Sequence, residues 1–188
     1  MTEIPDFQPG RRIVVVGTSG SGKTTVAQRL AEVLGLTYIC SDAIIWGPNW
    51  TLIPHEQRVP LYDKATQAQS WTIDGNFGGT GHPQDEIILK RADTLVWLDL
   101  PFWRVFTQLF VRTVRRARTG EELWHGNRES WRVSFFSRDS ILLWAIRTYR
   151  PNRLRYAEHF ADPGYAQLMK FRFTSRRDVN AWLAMLKA

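Results

Sequence analysis

Apolar residues fall along the chain in short unbroken runs, separated by longer stretches in which they recur every three or four positions. The runs predict strands and the stretches predict helices. Residues 11–16 form the first run. Residues 36–40 form the second, and their lack of alternation suits a strand buried on both faces. Residues 70–74, 94–100 and 170–174 complete a set of five. Between the first two runs Val26, Leu30, Val33 and Leu34 recur at helical spacing up to Gly35, a residue suited to close a helix. Further helices are predicted over 55–69, where Pro60 delays or kinks the start, over 84–92, and from Phe102 toward Gly120. Helical spacing resumes over 131–150, stops at Pro151 and continues to Phe160, and a closing helix over 178–187 carries Val179, Trp182, Leu183 and Leu186 on one face. Residues 43–54, with Trp46, Gly47, Pro48, Trp50 and Pro54, read as a loop presenting large exposed aromatics. Strands separated by helices over the whole length predict one α/β domain over 1–188, a parallel sheet with helices on both faces. There is no internal repeat and no low-complexity segment.

The first strand runs directly into Gly17-Thr18-Ser19-Gly20-Ser21-Gly22-Lys23-Thr24, followed by Thr25 and a helical pattern. This spacing, G-x-x-x-x-G-K-[ST], is a phosphate-binding P-loop. Glycines let the backbone turn tightly and approach a triphosphate, whose charge then meets amide groups and a helix N-terminus. Lys23 is placed to reach the β- and γ-phosphates, and Thr24 to offer its hydroxyl to Mg²⁺. ATP with Mg²⁺ is the ligand this stretch predicts.

Charge sharpens the picture. The chain carries +7 at pH 7, but residues 104–155 hold 12 arginines and four acids, hence +8, leaving −1 for the rest. Arginine forks onto phosphate oxygens and stacks on bases, so an anionic partner is expected, either polyphosphate or nucleic acid. Arg112, Arg115 and Arg116 share one helix face, and with Arg118 make four arginines in seven residues with no acid until Glu121. Such a density either forms a solvated basic face or calls for an incoming anion. The longest apolar run inside a helix, 141–146, is far short of a membrane span, and residues 1–10 lack the apolar core of a secretory signal. One cysteine, Cys40, excludes an intramolecular disulfide and fits the cytoplasm. The histidines at 55, 82, 125 and 159 show no metal-ligand spacing, so no structural metal is expected.

Three aspartates follow predicted strands. Asp42 lies past the second, where doubly wound sheets put their ligands; it either orients an acceptor hydroxyl or caps a helix. Asp74 ends the third, beside the P-loop, and is a Mg²⁺-shell candidate or a turn residue before Gly75. Asp99, before Leu100 and Pro101, reads as a turn residue. Of the nine tryptophans, Trp97, Trp144 and Trp182 fall on apolar faces and are assigned to the core, while Trp46 and Trp50 are candidates to line an acceptor pocket.

With these pieces in place the chain resembles the P-loop nucleotide kinases of the adenylate kinase type, and within them the topology modulation proteins. The resemblance covers residues 12–187. It rests on GTSGSGKTT, SDAIIW, WTIDGNF, RADTLVWLDLP with the arginine-rich helix behind it, and KFRFTSRRDVNAWL. It implies a P-loop NTPase fold with a five-stranded parallel sheet of order 2-3-1-4-5, an acceptor-binding segment at about 42–70 and a helical, arginine-bearing lid at about 112–132. It also implies that Asp74 helps hold Mg²⁺ through water, that Arg58 contacts the acceptor's anion with Gly75 close by, and that Arg112 and Arg116 reach the donor nucleotide and the transferring phosphoryl. The chain departs from adenylate kinases at Asp74-Gly75-Asn76-Phe77, where a Pro-Arg pair is missing, and in the lid, which has no zinc-type cysteines.

The leading expectation is a Mg²⁺-ATP-dependent phosphotransferase acting on a small acceptor, with Lys23, Arg112, Arg116 and Asp42 in the chemistry. The alternative is a nucleic-acid-associated ATP-binding regulator, or a kinase of polynucleotide ends, engaging nucleic acid through 104–155. A GTPase-like switch ranks last, because no Asn-Lys-x-Asp guanine signature is present.

Overall fold

A computed structural model describes residues 8–77, 83–137 and 140–186. Five parallel strands, β1 (Arg12–Gly17), β2 (Thr37–Cys40), β3 (Trp71–Gly75), β4 (Thr94–Leu98) and β5 (Met169–Phe173), form one sheet in the order β2-β3-β1-β4-β5. The helices between them are α1 (Lys23–Leu34), α2 (Ser41–Ile45), α3 (His55–Ala65), α4 (Pro83–Arg91), α5 (Phe102–Thr119), α6 (Trp131–Phe136), α7 (Ile141–Ala161) and α8 (Arg176–Met185). Each strand-to-strand connection is therefore a crossover, as parallel pairing requires. Fold class and strand order match expectation.

Period-two alternation within β1 sorts its side chains between two cores. Val14 and Val16 pack with Ile73, Trp97, Tyr62, Ile88 and Tyr156, on the side covered by α3, α4 and α7. Ile13 and Val15 pack with Val26, Leu30, Phe171, Phe173 and Trp182, on the side covered by α1 and α8. A third, smaller cluster of Leu109, Leu142 and Ala145 ties α5 to α7. Because β1 is central, its partners set what surrounds the turn after it: Val15 pairs with Asp74 and Val96, and Val16 with Gly75 and Trp97.

Four expectations need correction. β2 is an edge strand, with only Ile39 fully buried, because the sheet ends there. α7 runs through Pro151 without stopping; Leu142 and Ala145 before it, and Asn152 and Tyr156 after it, are buried, so packing on both sides holds the helix against the one lost donor. Trp144 falls off that buried stripe and is 39% exposed. Residues 43–54 contain α2 and a 3₁₀ turn, Pro48–Trp50, and Trp46 and Trp50 stack edge-on at 5.8 Å, half-buried. The N-terminal seven residues, the glycine run to Gly81 with His82, Asp139 and the last two residues lie outside the described residues. No described helix is long and apolar enough to cross a membrane.

Candidate active site

The phosphate-binding turn is shaped by local backbone chemistry. Gly20 (φ +89°) and Gly22 (φ +90°) occupy a left-handed region that side chains disfavour. Gly22 caps α1; no side chain caps that helix and no acid stands in its first turn, so its first amides are open to an anion. The amide of Ser21 donates to Thr18 O at 3.1 Å, and Lys23 Nζ donates to the same carbonyl at 3.2 Å, folding the lysine back along the loop. Ser21 Oγ is buried with no hydrogen-bond partner among the described residues. Ser19 is half-buried and Thr25 exposed, flanking the turn.

Thr24 Oγ1 donates to Asp74 Oδ2 at 2.6 Å, and Tyr38 donates its hydroxyl to the other carboxylate oxygen at 2.8 Å. Tyr38 thereby fixes which oxygen of Asp74 faces the P-loop. A hydroxyl and a carboxylate side by side suit Mg²⁺, which commonly takes one or two protein oxygens and fills its shell with water and substrate phosphates. Among the described residues no group of three or more His, Cys, Asp and Glu could hold a metal without such help.

Charge converges on this turn. Burial pushes the Lys23 ammonium down to about 8, a shift that the nearby Asp74 and Asp42 oppose. The Asp42 carboxyl is raised, chiefly by burial, while Lys23, Arg112 and Arg116 pull the other way. Arg112 is lowered by burial and by Arg116, and its Nε has no hydrogen-bond partner among the described residues. Lys23, Asp42, Asp74, Arg112 and Arg116 thus lie close enough to act on one another's charge. Arg58 stands beside Tyr62, whose hydroxyl bonds Ser41 Oγ at 2.6 Å next to Asp42, and Arg58 Nε is likewise buried and unpartnered. Gly75 is buried at the end of β3, with the Phe77 ring filling the space of its missing side chain.

The arginine cluster is not left uncompensated, as its sequence suggested. Arg115 is 64% exposed at its side chain and pairs with Glu121 at 3.1 Å. Arg116 lies 3.4 Å from Glu121 and 3.2 Å from Glu129. The acids come from the connection after α5, which folds back onto the helix. Asp99 is no simple turn residue either: its side chain is 1% exposed and takes Arg153 and Arg172, each at 2.6 Å. Sequence spacing did not single out Tyr38 and Asn127, which bond groups 36 to 80 residues away, or Glu129, which reaches Arg116 across 13 residues only because the connection folds back.

Fold and site together define the class. This is a P-loop kinase, a phosphotransferase built on a five-stranded parallel sheet. Over 140 residues the chain is 24% identical to the shikimate kinase of Synechococcus elongatus, covering 65% of this chain and 73% of that one. It is 29% identical over 101 residues to the shikimate kinase of Halorhodospira halophila, covering 48% and 57%. Among solved structures, shikimate kinase from Acinetobacter baumannii in complex with shikimate aligns over 94% of this chain and 90% of its own, with a TM-score of 0.54 and 16% identity. A gluconokinase from Sinorhizobium meliloti aligns over 95% and 94%, with a TM-score of 0.51 and 19% identity. These structures share the fold. No family profile matches the chain.

Proposed function

We propose that this protein transfers the γ-phosphoryl group of Mg²⁺-ATP to a hydroxyl of a small acceptor that also carries an anionic group. The observation that carries this reading is the buried Asp42 carboxyl within electrostatic reach of Lys23 and Arg112 beside the P-loop, with Arg58 next to Tyr62. Phosphoryl transfer is catalysed mainly by positioning and by positive charge around the migrating group. In this scheme the P-loop amides and the open end of α1 hold the donor's phosphates, and Lys23 bears on the β- and γ-oxygens. Thr24 and Asp74 would hold Mg²⁺, which when bound would supply positive charge to offset the charge that develops on the leaving group. Asp42, raised by burial, orients the acceptor hydroxyl and takes its proton as the new O–P bond forms and the bond to the β,γ-bridging oxygen breaks. Arg112 and Arg116 stabilise the phosphoryl in flight. Arg58, with Gly75 alongside, faces the acceptor's anion. Shikimate and gluconate, the acceptors of the named relatives, both combine hydroxyls with a carboxylate, so this acceptor class suits the residues. The five sequence stretches named above support a resemblance to the topology modulation proteins within that class, and the single cysteine fits a cytoplasmic enzyme.

The test is ADP release from Mg²⁺-ATP against shikimate, gluconate, nucleoside monophosphates, nucleosides and 5′-hydroxyl oligonucleotides. A small hydroxy acid accelerating release supports the proposal. Acceleration by oligonucleotides alone would transfer the arginine segment to the nucleic-acid alternative.

Lys23 adds a pH signature. In the free protein its ammonium loses a proton near pH 8, whereas a bound triphosphate favours the charged form. From pH 7.5 to about 8 Lys23 therefore contributes little pH dependence to affinity. Above that pH, binding takes up a proton, and the Kd rises by up to about tenfold per unit. Titration with a fluorescent N-methylanthraniloyl-ATP between pH 7.5 and 9.5 reads this directly; a flat profile to pH 9.5 contradicts it.

A further inference from the structure

Two loops far apart in sequence are buttoned together. The acceptor-side loop turns at Pro48–Trp50 and closes with a bridge between Trp46 and Leu52. The connection after α5 repeats the device, turning at Trp124–Gly126 with a bridge between Glu122 and Arg128. Asn127 joins them with both ends of its amide: Nδ2 donates to Gly47 O at 2.9 Å, and Oδ1 accepts from the Trp50 amide at 2.8 Å. Trp50 Nε1 adds a bond to Arg128 O at 3.2 Å, and His125 Nε2 lies 3.0 Å from Ala43 O. Asn127 is 3% exposed although it sits in a polar connection.

Backbone strain gathers at the same junction. Among the described residues, Asn49, Trp50 and His125 are the non-glycine residues with positive φ, at 56°, 55° and 57°. Left-handed backbone is costly for a tryptophan and persists where surrounding contacts dictate it. The shapes of both loops are thus held by their mutual contact.

The junction leads to charge on either side. The acceptor loop continues into α2: Trp46 N donates to Asp42 O at 3.0 Å, and Ile53 N to Ile45 O at 2.9 Å. Two residues beyond Asn127, Glu129 grips Arg116 at 3.2 Å, and the Glu129 side chain is only 10% exposed. A short covalent and hydrogen-bonded path therefore runs from Asp42 through Gly47 and Trp50, across Asn127, to Glu129 and Arg116.

We infer that Asn127 is a positioning residue that couples the acceptor loop to the lid, so that the segment bearing Asp42 and the Arg116 guanidinium move as one unit. The amide suits this task because it donates and accepts at once; alanine can do neither, and aspartate can only accept. The consequence for turnover rests on the kinase reading, whereas the coupling itself does not.

The experiment uses the full chain without ligand. In Asn127→Ala, amide exchange at Trp50 quickens at least about tenfold, because opening of the junction becomes local and easy. The decisive readout is the side-chain Nε–H of Arg116, followed by NMR, which quickens in the same variant although Arg116 is untouched. Quickening at both sites upholds the inference. Quickening at Trp50 alone makes Asn127 a local tie and overturns it, as does no change at either site. Should Asn127→Ala fail to fold, Asn127→Asp, which keeps the acceptor for Trp50 N and loses the donor to Gly47 O, is read at the Arg116 Nε–H alone: quickening there upholds the inference and no change overturns it. With Mg²⁺-ATP and whichever of shikimate or gluconate proves active, the loss of coupling lowers kcat by about tenfold or more and raises the acceptor KM, with the ATP KM within about twofold. If Lys23→Ala does not diminish transfer, the kinase reading has failed, and the exchange measurements still decide the coupling.

Discussion

Replacing Lys23 with alanine lowers kcat by on the order of 10³-fold while the protein stays folded. The size follows from the role of a single cationic donor aimed at developing phosphoryl charge in a water-poor site, where removing one such group costs about 10²–10³-fold. The spared fold follows from the lysine's own environment. Its ammonium is held below the ordinary lysine value by burial, so the cost of burying that charge is fully present below pH 8 and is relieved as pH rises from about 8 toward 10.5. At pH 7 the variant therefore loses a disfavoured charge and one hydrogen bond to Thr18 O, and its melting temperature falls by no more than a few degrees. Steady-state ADP release and a thermal melt on the same preparation check both halves. Undiminished turnover, or a collapsed fold, contradicts this account of the loop.

Gly20→Ala, in contrast, damages stability and nucleotide binding together. At φ +89° a side chain is strained by about 1–2 kcal/mol. Its Cβ would also stand 2.5 Å from the carbonyl oxygen of Val105 and 2.8 Å from Leu109 Cβ, both in the packed first half of α5. Overpacking of this kind costs about 1–3 kcal/mol more. A loss of about 3 kcal/mol in a chain of this length lowers the melting temperature by about 6–12 °C. ATP affinity falls at least about tenfold, since the loop can relieve the clash only by moving off α5. Gly35→Ala is the matched comparison: it also has positive φ, at +64°, but nothing stands within 4 Å of the added atom, so only the backbone cost of about 1–2 kcal/mol is expected. Equal melting temperatures for the two variants would show that contact with α5 does not constrain the P-loop.

That contact has a functional side. The P-loop rests on the N-terminal half of the same helix whose C-terminal half carries Arg112 and Arg116. The P-loop and the arginine-bearing helix are thus parts of one packed unit, while Asn127 ties the connection after α5 to the loop that turns at Pro48–Trp50.

The parts legible in the sequence are those whose partners are near in the chain. Apolar residues 13–16, three glycines, a lysine and a helical stripe ending at Gly35 determine a strand, a turn and a helix with no help from elsewhere, and the structure matches them nearly residue for residue. Strand order is a different matter. Nothing in the spacing says that β1 lies between β3 and β4; that order came from family resemblance. Asp74 was visible as an acid ending a strand, but Tyr38, which aims it, is 36 residues away. Asp99 looked like a turn residue because its partners, Arg153 and Arg172, lie 54 and 73 residues on. The arginine cluster looked unbalanced because Glu129 returns to it only when the connection folds back. Trp144 was misplaced by a single step around α7, since packing sets which stripe of a mostly apolar helix turns inward.

Transfer of label from [γ-³²P]ATP tests the central claim most directly. The protein is incubated with Mg²⁺-ATP and the small-metabolite fraction of a cell extract, and separately with the nucleic-acid fraction, and the products are resolved by chromatography. Label is expected in a new, anionic small-molecule phosphate ester, absent with Lys23→Ala. Label appearing only as inorganic phosphate, or only on polynucleotide ends, would contradict a kinase of small hydroxylated acceptors.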